Sequence, residues 1–303
     1  MSSMVVALGG NALLRGGEGT IEDQRRSIRK TAPHIGDLYE NGHDLVFTHG
    51  NGPQVGQLLL QNEESTSVSA KPMDVLGAES QAQIGYLLQR ELHNVLDVTP
   101  VTTVTQTRVD AADPAFDDPT KPVGPFYDED EAAEKDFQVK QVSTNDGGTA
   151  YRRVVPSPDP IEIVESERIG TLIDTGQPVV CVGGGGAPVV KENGDYRGVE
   201  AVIDKDRATQ VLANNIEADD LLLLTDVEAA YRNFGTDDQE RIAELTPQEA
   251  RDLLDADEFG EGSMAPKVEA CAEFIENGGE RAIITSTETA TEALTGDAGT
   301  IIK

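Results

Sequence analysis

The chain of 303 residues has no tryptophan, only 4% aromatic residues and two cysteines. Lysine is scarce, 9 against 15 arginines, and no apolar run reaches 18 residues. Each shortage excludes something. Without such a run no transmembrane helix is expected. Cys181 and Cys271 lie in apolar surroundings with no C-x-x-C spacing, and both read as reduced core residues. His34, His43, His49 and His93 form no H-E-x-x-H, so no protein-built metal site is expected. The opening MSSMVVALGG lacks the basic and apolar segments of a secretory signal. A soluble, cytoplasmic protein is the expectation.

Negative charge is what the chain has in excess. Acidic residues number 55 against 24 basic ones, a formal net charge of −31. Such a field repels nucleic-acid phosphates and anionic membranes, so neither is expected as a partner. The acids are spread between apolar segments instead of forming a tail. This balance suits a protein kept soluble in high salt, as in a halophile, where screening removes the mutual repulsion of carboxylates. In so lysine-poor a chain, a lysine inside a motif is a candidate. The length allows two domains or one large α/β unit, and needs no disulfide to stabilise its core.

Strand-like and helix-like stretches alternate. Short apolar runs at 5–8, 45–48, 101–105, 179–182, 221–224 and 282–285 are bounded by Gly, Asn or Asp, as buried parallel strands should be. Between them, Ile84, Leu87, Leu88, Leu92, Val95 and Leu96 mark one helical face, and Val268, Cys271, Ala272 and Ile275 another. Thr246-Pro247-Gln248-Glu249 reads as a capping box. The alternation predicts a mostly parallel sheet with helices on both faces. Residues 107–160 break the rhythm, holding 7 of the 15 prolines. They read as a small excursion with its own turns, in which Val154, Val155, Ile161, Ile163 and Val164 pair as strands.

Three predicted strands end in glycine: at Gly9-Gly10-Asn11, at Gly50-Asn51-Gly52 and at Gly183 to Gly186. Ligands of open α/β sheets bind outside the carboxyl ends of strands, and glycine lets backbone N–H groups approach an anion. Together the three suggest a phosphate cradle. It is neither a P-loop, since no G-x-x-x-x-G-K-[ST] occurs, nor a dinucleotide fingerprint, since the glycine spacing at 50, 52 and 56 is one residue too long. Two lysines sharpen the reading. Lys205 opens a helix marked by Ala208, Val211, Leu212 and Ile216, and Lys267 falls in the first turn of the last amphipathic helix. A cation at a helix N-terminus opposes the helix dipole, which is tolerable when an anion occupies that end.

The phrases ALGGNALL, HGNGPQVG, DPTKPVGPF, VVPSPDPI, GGGGAPVV, GVEAVIDKD and GSMAPKVEA resemble those of carbamate kinases, within the wider amino acid kinase family. The similarity runs in order from residue 5 to about 285. It implies an open three-layer αβα sandwich spanning 1–303 with a protruding subdomain at 107–160. Residues 1–200 would serve mainly the phosphoryl acceptor and 201–303 mainly the nucleotide. It also implies the reaction ATP + carbamate ⇌ ADP + carbamoyl phosphate with Mg²⁺, run toward ATP during arginine breakdown, in a homodimer. By motif, Lys205 and Lys267 face the transferring phosphoryl group and Asp206 orients them. Gly9, Gly10, Asn11, Gly50, Asn51 and Gly52, with Gly183 and Gly184, hold carbamate and phosphoryl oxygens. Thr225, Asp226, Val227, Tyr231, Gly262, Ser263 and Met264 border the nucleotide.

The chemistry agrees with those roles. Phosphoryl transfer asks for fixed cations and N–H donors around equatorial oxygens, with no covalent nucleophile. Where many amino acid kinases carry lysine after the first Gly-Gly, this chain has Asn11. Lys121, in a loop tip stiffened by Pro119 and Pro122, is the candidate to supply that charge. This favours carbamate kinase over acetylglutamate, aspartate or uridylate kinase. The presence of all three lysines argues against a non-catalytic nucleotide sensor.

Overall fold

The computed structural model describes residues 2–13, 19–96, 98–144, 148–259 and 264–303, with the side chains of Asn11 and Ala12 outside the description. Gly262 and Ser263 therefore lie outside the described residues.

An eight-stranded sheet forms the middle layer. Its spatial order is Glu244–Leu245, Thr300–Ile302, Arg281–Ser286, Asp220–Thr225, Ser3–Leu8, Asp44–His49, Val179–Val180 and Val101–Thr102. Every pairing is parallel except that of Arg281–Ser286 with Thr300–Ile302. Side chains alternate between two cores, as the period of a strand requires. Val5, Ala7, Leu221, Leu223, Ala282 and Ile284 face one core, and Met4, Val6, Leu8, Leu222, Leu224 and Ile283 face the other. Helices Lys205–Asn215, Pro247–Asp255 and Met264–Glu276 cover the first face, helices Ile21–Glu40 and Met73–His93 the second. The chain is thus the expected αβα sandwich. The capping box is present: the Thr246 hydroxyl accepts from the Glu249 N–H, and Glu249 accepts from the Thr246 N–H.

Local expectations needed correction at several points. The 101–105 strand stops at Thr102, because Thr105 turns to the buried Gln81 and exchanges three hydrogen bonds with it. Val95 lies past the end of its helix and is 44% exposed. Met264–Glu276 is not the last helix, since the short Ala290–Thr295 helix follows it. The excursion contains an antiparallel sheet, in which Thr149–Val155 lies between Lys121–Tyr127 and Val139–Ser143. It docks on the helix Gly52–Glu64, where Val55 and Leu59 pack with Val123 and Val155. Val154 and Val155 join that sheet, whereas Ile163 pairs elsewhere, with Thr107. Ile161 is exposed and Val164 lies in a turn.

Candidate active site

The parallel strands deliver their carboxyl ends to one edge of the sheet. A cleft of about 450 Å³ opens there. Of the expected residues, it is lined by Gly9, Gly10, Gly50, Asn51, Gly52 and Gly184, by Thr225 and Asp226, and by Lys121, Lys205, Asp206 and Lys267. Two of the glycines are dictated by space. A Cβ on Gly9 would lie 2.6 Å from the Leu224 carbonyl oxygen. Gly184 has φ +62°, and a Cβ there would meet the Asn51 carboxamide at 2.0 Å. Asn51 is held by donating to Ser80 Oγ at 2.8 Å.

Other expected residues fall outside the lining. Asn11 sits in the short helix Gly10–Leu13, its side chain undescribed. Gly183 is buried beneath the cleft, where a Cβ would collide with the His49 ring at 2.4 Å. Val227 lies in the bend after Thr225, and Tyr231 stacks at a tilt 5.9 Å from Phe234. Met264 begins its helix and packs against the core.

The cleft's cations are organised by two aspartates. Asp204 caps the helix Lys205–Asn215, accepting from the N–H groups of Asp206 and Arg207. Asp206 follows in the first turn and is 4% exposed. Lys205 Nζ donates to its Oδ1 at 2.6 Å and Lys267 Nζ to its Oδ2 at 3.1 Å. Burial alone would raise the Asp206 carboxyl, but the two ammonium groups outweigh it and hold the group below its ordinary value. The carboxylate also explains how lysines are tolerated at helix starts, because an anion does stand there. Within this cluster two ammonium groups share one carboxylate.

Lys121 approaches from the protruding sheet. It is the first residue of a strand and not part of a loop tip, since it pairs with Val155. Its Nζ donates to Asp204 Oδ2 at 3.1 Å, with the lysine side chain 45% exposed. Arg207 braces the two lysine-bearing helices. Its Nε and Nη2 donate to Glu269 Oε2 at 3.2 and 2.9 Å, and it also contacts Asp159. Beneath the cleft, His49 donates from Nδ1 to the Gly50 carbonyl at 2.9 Å. Burial pushes its imidazole down to about 4, the Gly50 hydrogen bond opposes this, and the charge of Lys205 adds to it. The ring is neutral at pH 7.

Asp204, Arg207 and Gln54 were not singled out from the sequence, although Gln54 too lines the cleft. Asp204 was legible as Asp before a helix start, a capping signal. Nothing in the sequence marked the reach of Arg207 to Glu269.

The amino acid kinase family matches residues 3–286. The carbamate kinase of Halobacterium salinarum is 68% identical over 302 residues, covering all of this chain and 98% of that protein. That of Pyrococcus horikoshii is 48% identical, with 98% of each chain covered. Among solved structures, carbamate kinase from Giardia lamblia bound to AMP-PNP is 43% identical with a TM-score of 0.90, covering 99% of this chain and 98% of that one. The chain belongs to the amino acid kinase family.

Proposed function

We propose that this member of the amino acid kinase family is an ATP-dependent phosphotransferase that interconverts ATP and carbamate with ADP and carbamoyl phosphate. The observation that carries the reading is the Lys205–Asp206–Lys267 cluster beside the glycine turns. Lys205 and Lys267 stabilise charge on the transferring phosphoryl oxygens, and Asp206 holds both ammoniums in place. Lys121 adds a third cation from the protruding sheet. Carbamate is already an anionic nucleophile, so no general base is required. N–H groups of Gly9, Gly10 and Gly52 cradle the acceptor and phosphoryl oxygens, the Gly50 N–H being spent on the Leu8 carbonyl at 3.3 Å, and Thr225 and Asp226 border the nucleotide. Residues 1–200 serve mainly the acceptor, 201–303 mainly the nucleotide, and 107–160 protrude.

Mg²⁺ fits this donor set as an ion carried by phosphates. Asp206 is taken by two lysines, and Asp204 by Lys121 and two backbone N–H groups. Phosphate oxygens and water would supply most ligands, with Asp226 the remaining carboxylate of the lining. When bound, the ion neutralises phosphate charge.

A coupled assay of ATP formation from ADP and carbamoyl phosphate, with acetyl phosphate as control, tests the reading. ATP from carbamoyl phosphate is expected, and none at any salt concentration sinks it. The reading extends to ATP production in arginine breakdown by a cytoplasmic homodimer in a salt-rich cell. The net charge of −31 supports the last point. Raising KCl from 0.1 to 2 M shortens the Debye length from about 10 Å to below about 3 Å. The melting temperature should therefore climb while the KM for nucleotide rises. A flat or falling melting temperature removes the salt adaptation.

A further inference from the structure

Gln54 is the third residue of the helix Gly52–Glu64, in its first turn. It is 2% exposed, yet among the described residues neither Oε1 nor Nε2 has a hydrogen-bond partner. Gln81, equally buried, shows what the fold can do for a glutamine. Its Oε1 accepts from both the N–H and hydroxyl of Thr105, and its Nε2 donates to the Thr105 carbonyl. A buried carboxamide with both ends unpaired is costly, and native structures keep few. Gln54 is among the residues that line the same cleft as Gly50, Lys121 and Lys205.

The cleft is rich in donors and poor in acceptors. Its ammonium groups and glycine N–H groups suit oxygen anions, while Asp204 and Asp206 are already occupied by lysines and Asp226 is the carboxylate that remains, on the nucleotide side. A carbamoyl group needs more than donors, because its amino group can only donate. We infer that Gln54 determines specificity by pairing with the carbamoyl edge of the substrate. Its Oε1 accepts from the substrate N–H while its Nε2 donates to the adjoining carbonyl or carboxylate oxygen. The inference rests on the function proposed above. An acetyl group has the same shape but a methyl in place of the amino group, so it would leave Oε1 buried and unpaired. Sites built to hydrogen-bond an N–H reject analogues lacking it more strongly than apolar pockets reject a missing methylene.

The test compares the unaltered protein with Gln54→Met, which keeps the length and removes both polar atoms. Gln54→Leu serves as a second variant should Met pack poorly. The readouts are kcat/KM for carbamoyl phosphate and for acetyl phosphate at saturating ADP, and the melting temperature of the ligand-free protein. The unaltered protein should prefer carbamoyl phosphate by about 10²-fold or more. In the variant that preference should shrink at least about tenfold through loss of the carbamoyl phosphate rate alone. Its melting temperature should hold or rise, because two unpaired buried atoms are gone. An unchanged preference, or equal losses for both phosphates with a lower melting temperature, overturns the specificity role. No turnover of carbamoyl phosphate by the unaltered protein overturns the proposed function and this inference together.

Discussion

The sandwich and the protruding sheet hold their cleft lysines by different means. On the sandwich, Lys267 is 5% exposed and shares the buried Asp206 with Lys205, all three on helix starts packed against the sheet. On the protrusion, Lys121 is 45% exposed along its side chain and reaches the body through its ion pair to Asp204. Buried charges keep their places because leaving them unpaired is expensive. An exposed pair is screened by water and contributes about 1 kcal/mol or less. The helix-borne cations are therefore fixed before substrate arrives, while Lys121 can exchange its carboxylate for a phosphate oxygen.

Breaking the buried side should have the largest effect. Asp206→Asn leaves two neighbouring ammoniums without their counter-charge. We expect a loss of about 3 kcal/mol in stability by denaturant unfolding and about 10²-fold or more in turnover. Lys267→Ala should lose a similar factor in turnover with a smaller stability loss than Asp206→Asn, because Asp206 keeps Lys205 as its counter-charge. Asp206→Asn with an unchanged unfolding midpoint would contradict the account of the cluster.

Lys121 should respond more mildly and differently. Lys121→Ala is expected to raise KM for carbamoyl phosphate and lower turnover by about tenfold with no stability loss, since its ion pair is exposed. Asp204→Asn should cost less still, because asparagine caps a helix as well as aspartate does. A large drop in melting temperature for Lys121→Ala would place it among the fixed cations and erase the contrast.

Acid offers the finest test, separating the floor of the cleft from its cations. The unfolded His49 imidazole takes a proton near 6.5, while the folded one stays neutral down to about 4. Stability is therefore complete above pH 6.5 and falls through that window by about 3 kcal/mol in all. Asp206 is held below its ordinary value, so its contribution is present above the unfolded carboxyl range and is lost only at lower pH. His49→Gln should flatten the slope between pH 6.5 and 4 in thermal melts and leave the lower limb in place. A slope that persists in that variant assigns the acid sensitivity elsewhere.

Much of this was legible along the chain because the signals are local. Buried strands show as short apolar runs, so the six predicted ones found their places in the main sheet, although 101–105 stopped at Thr102 and 179–182 at Val180. Edge strands such as Glu244–Leu245, two residues long, carry too little pattern to read. Lys205 and Lys267 stood out because they sit at helix starts in a lysine-poor chain. Lys121 stood out through its flanking prolines, but those prolines gave no hint that it opens a strand.

The sequence by itself determined the layers, the glycine turns at the strand ends and the presence of three motif lysines, because each depends on neighbours within a few residues. Tertiary structure decided which charges meet. Asp206 joins its neighbour Lys205 to a lysine 61 residues further on, and Asp204 meets a lysine 83 residues earlier. It also decided that Gln81 finds Thr105 while Gln54 finds no partner among the described residues. Pairings across such separations depend on how helices and sheets pack, and no period or spacing along the chain encodes the distance between two side chains brought together only by that packing.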